Sequence, residues 1–339
     1  MKKNWKSALL AGLSLCVLLA GCGGGNTGKP DSAKTFLPER EKISTPVAAS
    51  FNLNGRDVNI YEYTGLTFNN QSLWTKSLAV TDDTIYFFGT DRSDPVYQTK
   101  LRSVHYKGET LSDLKDLDPQ ADMRDHLMIS NGLVYEWRLK GDYKKTGKKG
   151  DRPSWHYYDG TQVVPTDLKN MIASINGSKD VIYDRGKEYW TGTLDKGTLT
   201  PGRKVTDIAQ IKADKFDFFE ISLWADKDGM YIFGTMKNDK GESYNVIRQF
   251  SLKDGSLLHA FEGPLNKNSG SWAVTEHCVV LGEKGGTYWV YNKHDGTLMG
   301  KGQTKPALTP YLMVPMKNDS ILIYREVSGT EVKLYRMDL

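Results

Sequence analysis

An all-β chain built from repeated units is what this sequence predicts, and three observations predict it. The first is composition: 18 tyrosines, 8 tryptophans and 33 glycines in 339 residues, with few long amphipathic helical patterns, favour strands and turns. The second is a period. Short β-branched or aromatic runs follow turn signals at Ile85-Tyr86-Phe87, Leu133-Val134-Tyr135, Val181-Ile182-Tyr183, Met230-Tyr231-Ile232, Val279-Val280-Leu281 and Ile321-Leu322-Ile323. Their first residues lie 48, 48, 49, 49 and 42 apart, the spacing of a four-stranded propeller blade. The third is the turn chemistry between runs, clearest in Lys253-Asp254-Gly255-Ser256 and Lys293-His294-Asp295-Gly296, where Asp-Gly supplies the positive φ that a two-residue hairpin needs. The expectation is a single β-propeller of six four-stranded blades, or seven if a small N-terminal hairpin counts.

The first 21 residues stand apart from the repeats. Lys2, Lys3 and Lys6 precede an uncharged run over residues 7–20, the layout of a secretory signal. That run is short of the roughly 20 apolar residues a spanning helix needs. It ends in Leu19-Ala20-Gly21-Cys22, which resembles the lipobox of bacterial lipoproteins. The resemblance implies a diacylglyceryl group on the Cys22 sulfur, a further acyl chain such as palmitate on the new amino group, and cleavage before Cys22. It further implies an extracytoplasmic domain anchored to a bacterial membrane by its N-terminal lipid. The competing reading is a cleaved signal in which Cys22 is incidental.

Residues 22–35, rich in Gly, Ser and Pro, read as a flexible tether, because they hold too little apolar surface to offset the entropy of ordering. Residues 36–339 form the expected propeller domain. Without residues 1–21 the chain has 42 basic and 41 acidic side chains, a net charge of +1. Such a balance supplies no broad field for nucleic acid, and none is expected as a partner. With Cys16 expected to leave with the signal and Cys22 expected to carry lipid, Cys278 is expected to stand alone, without a disulfide partner. In the apolar run Cys278-Val279-Val280-Leu281, with no flanking Lys or Arg, its thiol is expected to be buried and inert.

Within each unit a further apolar segment precedes the marker run, as at 73–80, 127–129, 221–224 and 272–274. A third strand follows it, as at 97–106, 244–252 and 287–292, and a fourth comes after the turn. The last unit lacks its fourth strand, since the chain stops at Leu339 soon after Val332-Lys333-Leu334-Tyr335. A spare strand at 57–63 precedes the first unit. It is expected to pair onto the last blade and close the ring, removing an exposed edge.

The phrases Phe250-Ser251-Leu252-Lys253-Asp254-Gly255-Ser256-Leu257 and Tyr291-Asn292-Lys293-His294-Asp295-Gly296-Thr297-Leu298 resemble the aromatic-x-x-x-(Asp/Thr)-Gly-x-x motif of quinoprotein-like propellers. With the lipobox, the chain is similar to propeller lipoproteins built from such PQQ-like repeats. That resemblance implies a scaffold role in the cell envelope.

Catalytic chemistry is sparse. The six histidines, His105, His126, His156, His259, His277 and His294, are scattered over different repeats without metal-ligand spacing, and neither a metal nor a cofactor is expected. Neither a nucleophile elbow nor a Gly-rich phosphate loop is present. Thr193-Leu194-Asp195-Lys196-Gly197 matches only part of a sialidase-type box and reads as a hairpin. The basic stretch 140–152 reads as a solvated hairpin tip or as a contact for anionic head groups or envelope polymer.

The remaining candidates are the aromatics Trp74, Trp224, Trp272 and Tyr311. Near the innermost strands they either grip a ligand at the channel mouth or fill gaps between blades. The expected role is a lipid-anchored module that binds another envelope protein or a glycan. The rivals are a glycan- or small-ligand-binding propeller and a carbohydrate-active enzyme. The enzyme would need two carboxyl groups about 5–10 Å apart beside Trp224 or Trp272.

Overall fold

The six marker runs all become second strands of blades, and their apolar continuity follows from burial on both sides. In β-strands successive side chains point to opposite faces, so a strand covered on both faces has no polar alternation. Ile182 faces the following blade while Val181 and Tyr183 face the preceding one. Val279 and Leu281 likewise pack one way, Cys278 and Val280 the other. The core is therefore a set of apolar layers between neighbouring blades, with no single central nucleus.

The computed structural model describes residues 45–69, 77–90, 99–139, 153–265, 269–328 and 331–339. The expected signal and tether, Cys22, Trp74 and the basic stretch 140–152 lie outside them. In chain order the strands are β1 (Val47–Leu53), β2 (Arg56–Glu62) and β3 (Phe68–Asn69), followed by the blades. Blade 1 is β4 (Leu78–Val80), β5 (Thr84–Thr90), β6 (Thr99–Lys107) and the first half of β7 (Thr110–Ser130). Blade 2 is the second half of β7 with β8 (Leu133–Leu139), β9 (Ser154–Tyr158) and β10 (Val163–Pro165). Blade 3 is β11 (Ile172–Ser174), β12 (Asp180–Arg185), β13 (Glu188–Asp195) and β14 (Thr198–Asp207).

A short helix, α1 (Ile208–Ile211), buries Ile208 and Ile211 against blade 4. Blade 4 is β15 (Asp217–Asp226), β16 (Gly229–Lys237), β17 (Ser243–Phe250) and β18 (Leu257–Leu265). Blade 5 is β19 (Ser269–Val274), β20 (Cys278–Glu283), β21 (Thr287–Asn292) and β22 (Leu298–Gln303). Blade 6 contains β23 (Leu312–Pro315), β24 (Ser320–Glu326) and β25 (Glu331–Asp338).

The ring closes as the unpaired last unit requires. β2 is the fourth strand of blade 6, pairing Asn59 with Asp338, Ile60 with Met337, Tyr61 with Arg336 and Glu62 with Tyr335. β3 covers the other end of β25, with Phe68 opposite Val332. The N-terminal hairpin does not begin a seventh blade. β1 pairs on β2 as a fifth strand of blade 6 and leans on blade 5, where Phe51 stacks on Tyr288 at 5.5 Å. The count is six blades.

Two details depart from expectation. β7 runs unbroken for 21 residues, leaving blade 1 and entering blade 2, so two blades share one sheet. Register shifts between Thr99 and Arg102 let it bend without a loop. The Asp-Gly turns after β17 and β21 are also wider than two-residue hairpins. Ser251 and Asn292 accept from Gly255 and Gly296, while their own N–H groups donate to Ser256 and Thr297. Only the glycines have positive φ, +69° and +75°, while Asp254 and Asp295 accept N–H groups on the far side of the turn.

These glycines are needed for packing as well as for φ. The turns after β17 and β21 dock on the outer strand of the preceding blade: Gly255 lies against Thr206, and a Cβ on Gly296 would stand 2.9 Å from His259 Nδ1. In blade 6 the fourth strand is β2, so no turn joins it to the third. The β1–β2 turn takes its place, with Asn54 donating to the Met299 carbonyl of blade 5.

Candidate functional site

The innermost strands line a central channel, and bonds between neighbouring blades, several of them from the turns that follow these strands, hold them there. Asn131 N–H donates to Gly177 O at 2.7 Å, Asn176 N–H to Ala225 O at 3.3 Å, and Met313 N–H to Ser271 Oγ at 2.9 Å. Where these strands turn into the second strands, the channel holds a cavity of about 880 Å³. Its wall is largely apolar, including Leu78, Leu127, Ile172, Leu223, Trp224 and Met316. Its rim is formed by the turns, among them Asp82, Asp83, Asn176, Lys227, Glu276 and Lys317. A preformed apolar concavity with a few polar groups is the ordinary form of a ligand site.

The rim charges are mostly engaged with one another. Lys317 pairs with Asp82. Lys293, brought from the β21–β22 turn and only 2% exposed, lies 2.8 Å from Asp226 Oδ2 and 2.9 Å from Asp228 Oδ2. Asp226 Oδ1 accepts the N–H groups of Asp228 and Gly229, so both oxygens of that carboxylate are committed. Burial works to raise the Asp228 carboxyl, but the ammonium groups of Lys293 and Lys227 prevail and hold it below the usual carboxylate range. Tyr231 beneath them is pushed far up by burial and then by the charges of Asp226 and Asp228.

A second latch joins blades 5 and 6. Asp319 Oδ2 is 2.7 Å from His277 Nδ1, and its Oδ1 accepts from the Thr275 hydroxyl at 2.6 Å and from His277 N–H at 2.8 Å. These bonds overcome the burial of Asp319 and hold its carboxyl below the usual range. His277 and His294 approach edge to face at 5.8 Å, yet no group of three or more His, Cys, Asp or Glu among the described residues is placed to hold a metal.

The aromatic candidates do not form one site. Trp224 lines the channel cavity. Trp272 stacks on Phe233 at 5.7 Å in the layer between blades 4 and 5, the gap-filling role. Tyr311, 43% exposed, packs edge to face on Tyr324 and lines a separate cavity of about 560 Å³ with Lys284, Thr309, Arg325 and Glu326. Trp74 and Cys22 lie outside the described residues. Cys278 is fully buried, and burial pushes its thiol far up, aided by the Asp319 charge.

Sequence reasoning missed Lys293, Asp226 and Asp319. Their only signal was recurrence of Asp at the turn into a second strand, at Asp83, Asp228 and Asp319. The partner of each lies on another part of the ring, where no local pattern points.

Fold and channel together define a six-bladed β-propeller. No protein-family model and no curated protein matches the chain. Among solved structures it is similar to a glucose dehydrogenase, at 9% identity and a TM-score of 0.45, covering 82% of this chain and 98% of that one. It is also similar to the β-propeller domain of Myceliophteria thermophila Cps50 (Swd1), at 8% identity and a TM-score of 0.42, covering 81% and 99%.

Proposed function

We propose that this protein is a lipid-anchored, extracytoplasmic β-propeller that works as a binding or scaffold module, engaging another protein or a glycan of the cell envelope. The observation that carries this reading is the state of the carboxylate beside Trp224. Asp226 spends both oxygens on two backbone N–H groups and the Lys293 ammonium, as a blade-to-blade latch does. A carboxylate tied to a cation from the next blade and to two backbone N–H groups fixes neighbouring blades against each other, which gives the ring the rigidity a recognition surface needs.

The rigid ring with turns at both ends favours recognition by surface. The lipobox at Cys22 supports the anchor. Thr45, the first of the described residues, bonds Glu109 at the seam of blades 6 and 1, so the described chain joins the ring at its periphery.

Two measurements test the reading. Fatty-acid labelling in the native host should mark the full chain and not Cys22→Ala, which should be released from membranes still folded. Labelling that persists in the Ala variant sinks the anchor. Affinity capture of the native lipoprotein should return one envelope protein or glycan in stoichiometric yield. Cleavage of envelope glycans by the pure protein would replace the binding reading with the enzyme.

A further inference from the structure

The channel cavity carries a more specific inference, independent of the anchor. Its wall is apolar surface that the fold itself leaves uncovered. Val80, Leu127, Ile129, Met171, Trp224 and Met316 all line the cavity, and all are only half-buried. They come from blades 1, 2, 4 and 6 and from the lead-in to blade 3, so apolar surface meets the space from most of the ring. The space itself is about 880 Å³, within the range of about 300–1,000 Å³ over which small-molecule sites fall.

The rim decides the charge of the ligand. Lys317 holds Asp82, and Lys293 holds Asp226 at 2.8 Å. Lys227 holds Asp228 at 3.1 Å and also feels the charge of Glu276. Asp83 accepts from the Thr84 hydroxyl at 2.8 Å and stands 3.9 Å from His105 Nδ1. Each acidic and lysine side chain of the lining is thus engaged already. A charged ligand of either sign would lose hydration and find no counter-charge waiting, whereas apolar surface gains by leaving water. We propose that the channel is a binding site for one uncharged, largely apolar small molecule. Its hydrocarbon body lies in the shaft against the half-buried wall, and any hydroxyl or carbonyl it carries stays at the wet rim.

Titration calorimetry of the full chain with 1-butanol, 1-hexanol and 1-octanol tests this. Affinity should rise about three- to fourfold for each added CH₂, the scale of burying one methylene. Octanoate and octylammonium, of the same length as octanol, should each bind at least about tenfold more weakly than it, because a charge must stay in water and holds part of the chain out of the shaft. The two ions should differ from each other by no more than a few-fold. Leu127→Asn and Met316→Gln, which make the wall polar at nearly constant volume, should each weaken octanol about fivefold, with melting curves confirming the folded ring. Tyr311→Ser, in the separate cavity, should leave octanol unchanged and so identifies which cavity is filled. If a wall variant fails to fold, the chain-length series and the two ions still decide on the unaltered protein. Absence of octanol binding, affinity that does not grow with chain length, an ion bound as tightly as octanol, or loss of binding in Tyr311→Ser but in neither wall variant would each overturn the proposal. Those outcomes leave the scaffold reading standing, since envelope capture tests it separately.

Discussion

Removing the N-terminal closure should unfold the ring, and the structure sets the scale. A chain starting at Thr67 loses β1 and β2 and with them Ala49, Phe51, Leu53, Val58, Ile60, Tyr61 and Tyr63, each 7% exposed or less. At about 1.5–3 kcal/mol for each larger apolar side chain, their burial is worth on the order of 10–20 kcal/mol. A domain's whole stability is about 5–15 kcal/mol. The same cut bares the edge of β25 from Tyr335 to Asp338 and removes Thr45 and Thr64 from Glu109 of blade 1. A chain starting at Thr35 keeps every one of these contacts.

Thermal melting and size-exclusion chromatography of the two truncations should give a native-like monomer for the Thr35 start. For the Thr67 start they should give aggregate with no cooperative transition. A point substitution grades the effect: Ile60→Ala, at a fully buried position, should cost about 2–5 kcal/mol while leaving the backbone ladder intact. Equal melting temperatures and equal monomer yield for the two truncations would refute closure by β2 as a source of stability.

Other predictions follow from the latches. Lys293→Met strands Asp226 and Asp228 without their shared cation and should cost about 3–5 kcal/mol; adding Asp226→Asn should restore part of that loss in a denaturant titration. Because the folded-state pKa of Asp319 lies below its unfolded value, its contribution is complete above about pH 4 and fades as pH falls through the folded value. Asp319→Asn should therefore lower stability at pH 7 and flatten the acid limb below about pH 4; an unchanged slope there would contradict the assignment. The Cys278 thiol, buried and held protonated, should resist a thiol reagent in the native protein and react only on unfolding, so rapid native labelling would count against its placement.

Much of the fold was legible in the sequence because it rests on local repetition. A second strand sandwiched between blades must be apolar on both faces, and that requirement writes runs such as Cys278-Val279-Val280-Leu281 at every blade interval. The missing fourth strand of the last unit, read with the spare strand at 57–63, implied ring closure before any coordinates. The residue-level register was not legible. The strand expected opposite 332–335 pairs instead with Tyr335 through Asp338, because β3 occupies the far end of β25. The unbroken β7 was also hidden, since bulges bend a strand without any Gly-Pro signature.

The sequence by itself determined strand content, the blade period, the closing strand and the burial of Cys278, because each follows from the order and spacing of apolar residues and turns along the chain. Only the tertiary structure decided the chemistry of the channel. It put Trp224 in the cavity, Trp272 between blades and Tyr311 in a separate cavity, and joined Lys293 to Asp226 across 67 residues of chain. The physical reason is that a ring gathers its centre from one strand of every blade. Neighbours at the channel mouth are therefore about a blade apart in sequence, and neither their distances nor their charge balance can be read from local pattern.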